Sequence, residues 1–289
     1  MMFCINFCDI LNLNTSDENY IETIIERIEE MKKNKVERIY FGSYFCDHFF
    51  LKFEGYKYLL QFCKIKDIHA TLVIPVFSQD TLDKGKKRTL EICRYFEEMI
   101  DEITVNDLGM LYYVQNFNRY KINLGRLFSK NPRDCRVPEY TDSKIAPGFI
   151  SKLNQEFWKK QSINCVELDS TNQILDLSEA QSSDVMIALH SPYCYMTTGK
   201  VCKFASIHKR INEKFRPNIN CRMECMSISD TYTGHVAATN FESLIYRIGR
   251  TLFFENNEVE IIGKNLERLI YFPAKEWRKC MYEDISSVK

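Results

Sequence analysis

Along the first two-thirds of the chain, short β-type runs alternate with amphipathic helical segments, and that alternation favours a parallel α/β arrangement. Met2–Phe7 reads as a strand. Thr15 with Glu18 forms a capping box, and Ile21, Ile24, Ile25, Ile28 and Met31 follow at helical spacing. Lys32, Lys33 and Lys35 stand where the helix dipole favours cations. Arg38–Phe41 predicts a strand, Phe53–Lys66 a helix, His69–Phe77 a strand and Leu82–Ile100 a charged amphipathic helix. Ile103–Val105, Tyr120–Leu124, Cys165–Leu168 and Val185–Leu189 extend the strand series, with helices over Leu108–Val114 and Phe149–Lys160. No G-x-G-x-x-G follows the first strand, so the fingerprint of an open dinucleotide-binding sheet is missing. The expected fold is a TIM-like (β/α) barrel, complete or modified, in one domain spanning 1–289. The C-terminal third is less regular, and Glu267–Phe272 reads as a last strand.

Charge narrows the function. The 289 residues carry 39 basic and 39 acidic side chains, a formal balance of zero. A protein that holds nucleic acid mainly through phosphate contacts shows a basic excess instead. No apolar run is long enough to suggest a membrane span, and Met1–Asp9 lacks the basic start of a signal peptide. The expectation is a cytoplasmic protein.

Twelve cysteines stand out against that background. In a reducing compartment such thiols are buried small apolar groups or metal ligands. The densest chemistry lies in a cysteine-containing segment at about 190–230. It runs from His190 through Cys194, Gly199, Lys200 and Cys202 to Cys221-Arg-Met-Glu-Cys225. Two cysteines four apart put both thiolates on one side of a turn, and four thiolates around one centre suit zinc or an iron–sulfur cluster. Lys200, Lys203, Lys209, Arg210 and Arg222 are placed to offset the charge of such a centre. The spacing matches no standard zinc signature, and packing in a core is the alternative.

Other patterns carry less. Thr198-Gly199-Lys200 resembles the tail of a phosphate-binding loop, but Cys194 occupies the position of the required first glycine. None of the five histidines pairs with a nucleophile by spacing, and His190 is a strand-end residue with no partner apparent from sequence. Asn106-Asp107-Leu-Gly109 directly follows a strand, where barrel enzymes place functional groups and ordinary helices place caps.

Gly199-Lys-Val-Cys202 with Cys221-x-x-x-Cys225, Val105-Asn-Asp-Leu-Gly109 and Ile39-Tyr-Phe-Gly42 followed by Cys46 resembles the peptidase U32 family of collagenase-like proteins. The match in cysteine pattern is to the members that assist oxygen-independent ubiquinone hydroxylation. That resemblance covers most of the chain and implies a barrel-like fold with a 4Fe–4S cluster on four cysteines. Cys202, Cys221 and Cys225 match ligating positions, and the fourth ligand of the ubiquinone-type members comes from an early loop, here Cys46. Other members take it just upstream of the Cys202 position, here Cys194, which stands with seven residues between it and Cys202. Cys46 is the expected ligand, because a barrel opens its strand end and the Cys202 segment on one face.

The resemblance implies an iron–sulfur modifying enzyme or its U32-type partner subunit, acting on a small molecule, a protein or RNA, with prephenate as the oxygen-donating co-substrate. Asn106, Arg126 and Arg133, with Lys130 beside them, are the candidate substrate-binding residues, since guanidinium pairs bidentately with carboxylate. The family name suggests a peptidase instead, for which no nucleophile and base can be named. A third reading is a structural-zinc scaffold, supported by the aromatic run Tyr44-Phe45 with Phe49-Phe50, which is either an exposed surface or core.

Overall fold

The computed structural model describes residues 1–9, 18–129, 144–170, 174–226, 230–235, 242–256 and 259–274. Eight strands close into an all-parallel barrel: β1 (Met2–Asn6), β2 (Arg38–Gly42), β3 (His69–Ile74), β4 (Glu102–Val105), β5 (Lys121–Leu124), β7 (Ile163–Asp169), β9 (Met186–Ser191) and β15 (Arg268–Tyr271). Their order around the barrel is β1-β15-β9-β7-β5-β4-β3-β2, so the last barrel strand seals the first. These strands are almost wholly buried, as a sheet covered on its outer face requires.

Helices α1 (Glu18–Lys32), α2 (Asp47–Lys52), α3 (Tyr56–Lys66), α4 (Leu82–Tyr95), α5 (Leu108–Val114) and α6 (Lys152–Lys160) connect successive strands from β1 to β7. Each turns an apolar stripe inward: Ile21, Ile24, Ile25 and Ile28 on α1 are all buried. The capping-box residue Thr15 lies outside the described residues.

Two boundaries stand out against the sequence reading, and one open alternative is resolved. β3 stops at Ile74 rather than running to Phe77, because Pro75 offers no backbone N–H to a neighbouring strand. The expected helix to Ile100 ends at Tyr95, after which Phe96 and Ile100 tuck into the core and turn the chain toward β4. Tyr44, Phe45, Phe49 and Phe50 are core residues, none more than 6% exposed, so they offer no docking surface.

The irregular C-terminal third holds a four-stranded antiparallel sheet, β10 (Tyr193–Thr198), β13 (Thr251–Glu255), β12 (Glu242–Ile248) and β11 (Asp230–His235), inserted between β9 and β15. A small parallel sheet of β14 (Ile261–Ile262), β8 (Ile174–Asp176) and β6 (Lys144–Ile145) lies apart from the barrel ring. The barrel is thus TIM-like, with strands rather than an α-helix described between β9 and β15. Among the described residues, no helix is long and apolar enough to cross a membrane.

Candidate functional site

The loops leaving the C-terminal ends of the barrel strands open on one face, the end where barrel enzymes carry their chemistry. They bring Asp9, Cys46, Asn106, Arg126 and the segment after β9 to that end. Gly42 makes the exit from β2 possible. Its φ is 110°, and a Cβ there would stand 2.2 Å from the Val73 carbonyl oxygen. The chain then folds tightly: Asp9 accepts from the Ser43 hydroxyl and from Tyr44 N at 3.0 Å, and Cys46 N donates to Ser43 Oγ at 2.8 Å. Cys46 caps α2, its Sγ accepting from Phe49 N at 3.4 Å.

Cys46, Cys202, Cys221 and Cys225 line a single cavity, together with His48, Lys200, Glu224 and Arg250. Their sequence separation is bridged by the fold, and Lys52 of α2 donates to the Cys221 carbonyl at 2.5 Å and to Asn220 Oδ1 at 3.1 Å. Among the ten described cysteines these four are half-buried, and the other six are fully buried. Cys194 is one of the six: it sits in β10 opposite Phe254, its Sγ toward Tyr195 O, and does not line the cavity.

Burial pushes the Cys46 thiol up to about 12 and raises Cys202. It also pushes Cys225 well above the ordinary range, and the charges of Cys46, Cys202 and Cys221 add to that rise. Burial thus opposes ionisation of these thiols, and only a cation among them would favour the thiolate form. The N–H groups of Phe204 and Ala205 point at the Cys202 sulfur and oppose its rise.

By donor type, these four thiols are the residues that could hold a metal, and His48 Nε2, which lines the same cavity, is buried without a hydrogen-bond partner. Among the described residues, no three His, Cys, Asp or Glu side chains converge on a single-ion position, so the thiols line a shared space rather than a preformed one-ion cage.

A second constellation fills the barrel interior below the mouth. Glu167 on β7 accepts from Tyr44 Oη and Thr104 Oγ1, both at 2.7 Å, and lies 3.0 Å from His190 Nε2. All four are fully buried. Burial raises the Glu167 carboxyl to about 7 against the pull of the Thr104 and Tyr44 hydroxyls. Burial, with Arg126 adding, pushes His190 well below its ordinary value, so the ring is neutral and its Nδ1 has no hydrogen-bond partner. Asp9 is likewise raised by burial to about 6.

Arg126, after β5, is fully buried. One Nη atom binds Asp169 and, at 2.8 Å, the Tyr193 carbonyl. Its guanidinium lies 5.6 to 5.8 Å from the ring centres of Tyr44, Phe45, Tyr195 and Phe253. Its Nε and other Nη have no hydrogen-bond partner.

Asn106 is committed to the backbone, donating to Ile74 O at 2.9 Å and accepting from Leu127 N at 3.4 Å. Arg133 and Lys130 lie outside the described residues, as do Cys135 and Cys280. Sequence reasoning did not single out Glu167, Thr104, Asp9, Asp47, Asp169 or Arg250, and it named Tyr44 only as part of the aromatic run. For Glu167 a signal existed: a carboxylate in the apolar run Cys-Val-Glu-Leu-Asp is out of place unless the barrel interior needs it.

No family model and no curated protein matches the chain. Among solved structures, a class V chitinase from Pseudomonas fluorescens Pf-5 aligns over 97% of this chain and 98% of its own, at 9% identity and a TM-score of 0.34.

Proposed function

We propose that this chain is an iron–sulfur protein of the U32 type, with Cys46, Cys202, Cys221 and Cys225 as the four thiolate ligands of a 4Fe–4S cluster. In this reading it is an oxygen-independent, hydroxylase-type modifying enzyme, or the partner subunit of one. The observation that carries the reading is the cavity itself. Cys46 lies far in sequence from the segment that carries Cys202, Cys221 and Cys225, yet the four cysteines that the family resemblance selects line one cavity. When bound, such a cluster supplies one-electron transfer at a potential tuned by nearby charge and hydrogen bonds.

The remaining chemistry falls to the chain's own residues. Glu167, with a carboxyl near neutrality, holds or releases a proton on its Oε atoms as conditions demand. Tyr44, Thr104 and neutral His190 fix that carboxyl in place. Arg126 is fully buried and paired with Asp169, but its Nε and one Nη have no hydrogen-bond partner, and these are the donors we assign to an anionic co-substrate such as prephenate. Asp169 sets its orientation. The reading places the protein in the cytoplasm, where thiols stay reduced.

The test is direct. Protein purified without oxygen should be brown, absorb broadly near ~400 nm and carry about four irons and as many sulfides per chain. A colourless protein holding about one zinc per chain would overturn the cluster assignment.

A further inference from the structure

The residue after Cys46 ties the thiol cavity together. Asp47 is fully buried, and one of its oxygens accepts from Arg250 Nη1 at 2.9 Å. The other accepts from Lys200 Nζ at 3.2 Å, Thr81 Oγ1 at 2.8 Å and Ser78 Oγ at 3.1 Å. Both cations are held a second time, Arg250 Nε by the Phe45 carbonyl at 2.7 Å and Lys200 Nζ by the Val76 carbonyl at 3.0 Å. Arg250 and Lys200 line the cavity that the four thiols share. Glu224, which lines the same cavity, accepts from the Arg222 backbone N–H at 3.0 Å.

A buried carboxylate gripping two cations is a poor device for stability alone, because apolar packing of the same volume commonly does as well. Beside a thiolate-ligated centre it has another use. Each electron added to such a centre adds negative charge in a weakly screened site, so cations fixed in the wall favour the reduced state.

We propose that Asp47 is the positioning residue of the thiol site: it holds Arg250 and Lys200 against the cavity wall, where the two cations set how readily the bound centre accepts an electron. This rests on the reading of the cavity as an iron–sulfur site.

A potentiometric titration followed by electron paramagnetic resonance tests it on the full chain. Lys200→Met should disfavour reduction about tenfold, a shift of ~59 mV to lower potential for a one-electron couple. Arg250→Met should move the potential the same way, and Arg250→Lys should recover most of the loss. In the D47N background Lys200→Met should lose most of its effect, because the lysine is no longer held in place. Thr81→Val, a milder release of the same carboxylate, should reduce the Lys200→Met effect in the same sense should D47N lose its iron. Iron-bearing wild-type protein whose potential is unmoved by Lys200→Met overturns this inference alone. So does a Lys200→Met effect that persists undiminished once the carboxylate is released. A wild-type chain without iron overturns the cluster reading and this inference with it.

Discussion

Two glutamates face the interior of the barrel from strands two apart in the sheet, and their surroundings are opposite. Glu102 opens β4 at the N-terminal end. Burial alone would raise its carboxyl, but Arg268 grips both oxygens at 2.7 and 2.8 Å, Arg38 stands 3.5 Å away, and the group is held down to about 2. Asn123 adds a bond at 2.9 Å. Glu167, nearer the C-terminal end, accepts only from neutral hydroxyls and faces a neutral histidine, so burial wins and its carboxyl rises to about 7. The N-terminal end commits its charge to holding the barrel. Toward the C-terminal end a proton, two nitrogens of Arg126 and one of His190 are left uncommitted. That division is the one barrel enzymes use, with stability at one end and chemistry at the other.

Breaking the N-terminal cluster should have the largest effect. Arg268→Leu leaves Glu102 buried without its fork and should cost about 3–5 kcal/mol, read from the urea midpoint; a loss under ~1 kcal/mol would contradict the account.

The pH dependence of stability sharpens the contrast. Glu167 binds its proton more tightly folded than unfolded, where its ordinary value is 4.5, so it withdraws stability as pH rises from there to about 7. The withdrawn amount is about 3 kcal/mol. Glu102 has the opposite sign: its contribution is complete above its ordinary 4.5 and is lost as pH falls toward 2. Glu167→Gln should therefore flatten the decline between mildly acidic and neutral pH, leaving the part due to Asp9, whose folded value is about 6. An unchanged slope would remove Glu167 from its proposed proton-holding role.

Gly42→Ala should cost about 2 kcal/mol and lower the iron content with it, since the residue turns β2 toward Cys46 in a conformation alanine resists. Smallest is Tyr44→Phe, which removes one donor to Glu167. It should cost about 1 kcal/mol and move the carboxyl's titration, followed by nuclear magnetic resonance, to higher pH.

The barrel was legible because its strands are short apolar runs and its helices carry one apolar stripe each; Ile21 to Ile28 and Ile103–Val105 behave as their patterns imply. The inserted antiparallel sheet was not. Tyr193–Thr198 lies inside the cysteine-containing segment, and its pairing with Thr251–Glu255 has no local signature. The thiol set was named through a family resemblance, and its gathering around one cavity is a product of topology. The pairs that matter most electrically are also products of topology. His190 meets Glu167 because β7 and β9 are neighbours with Asp169 opposite His190, and Arg250 reaches Asp47 across 203 positions of chain. Spacing rules see neither.

The central claim is that the thiol lining the cavity from the early loop, not the one buried in β10, completes the ligand set. Iron and sulfide should therefore be counted in Cys46→Ala and Cys194→Ala proteins prepared side by side without oxygen. The account expects Cys46→Ala to lose most of its iron and Cys194→Ala to keep the wild-type content. Loss confined to Cys194→Ala would contradict it.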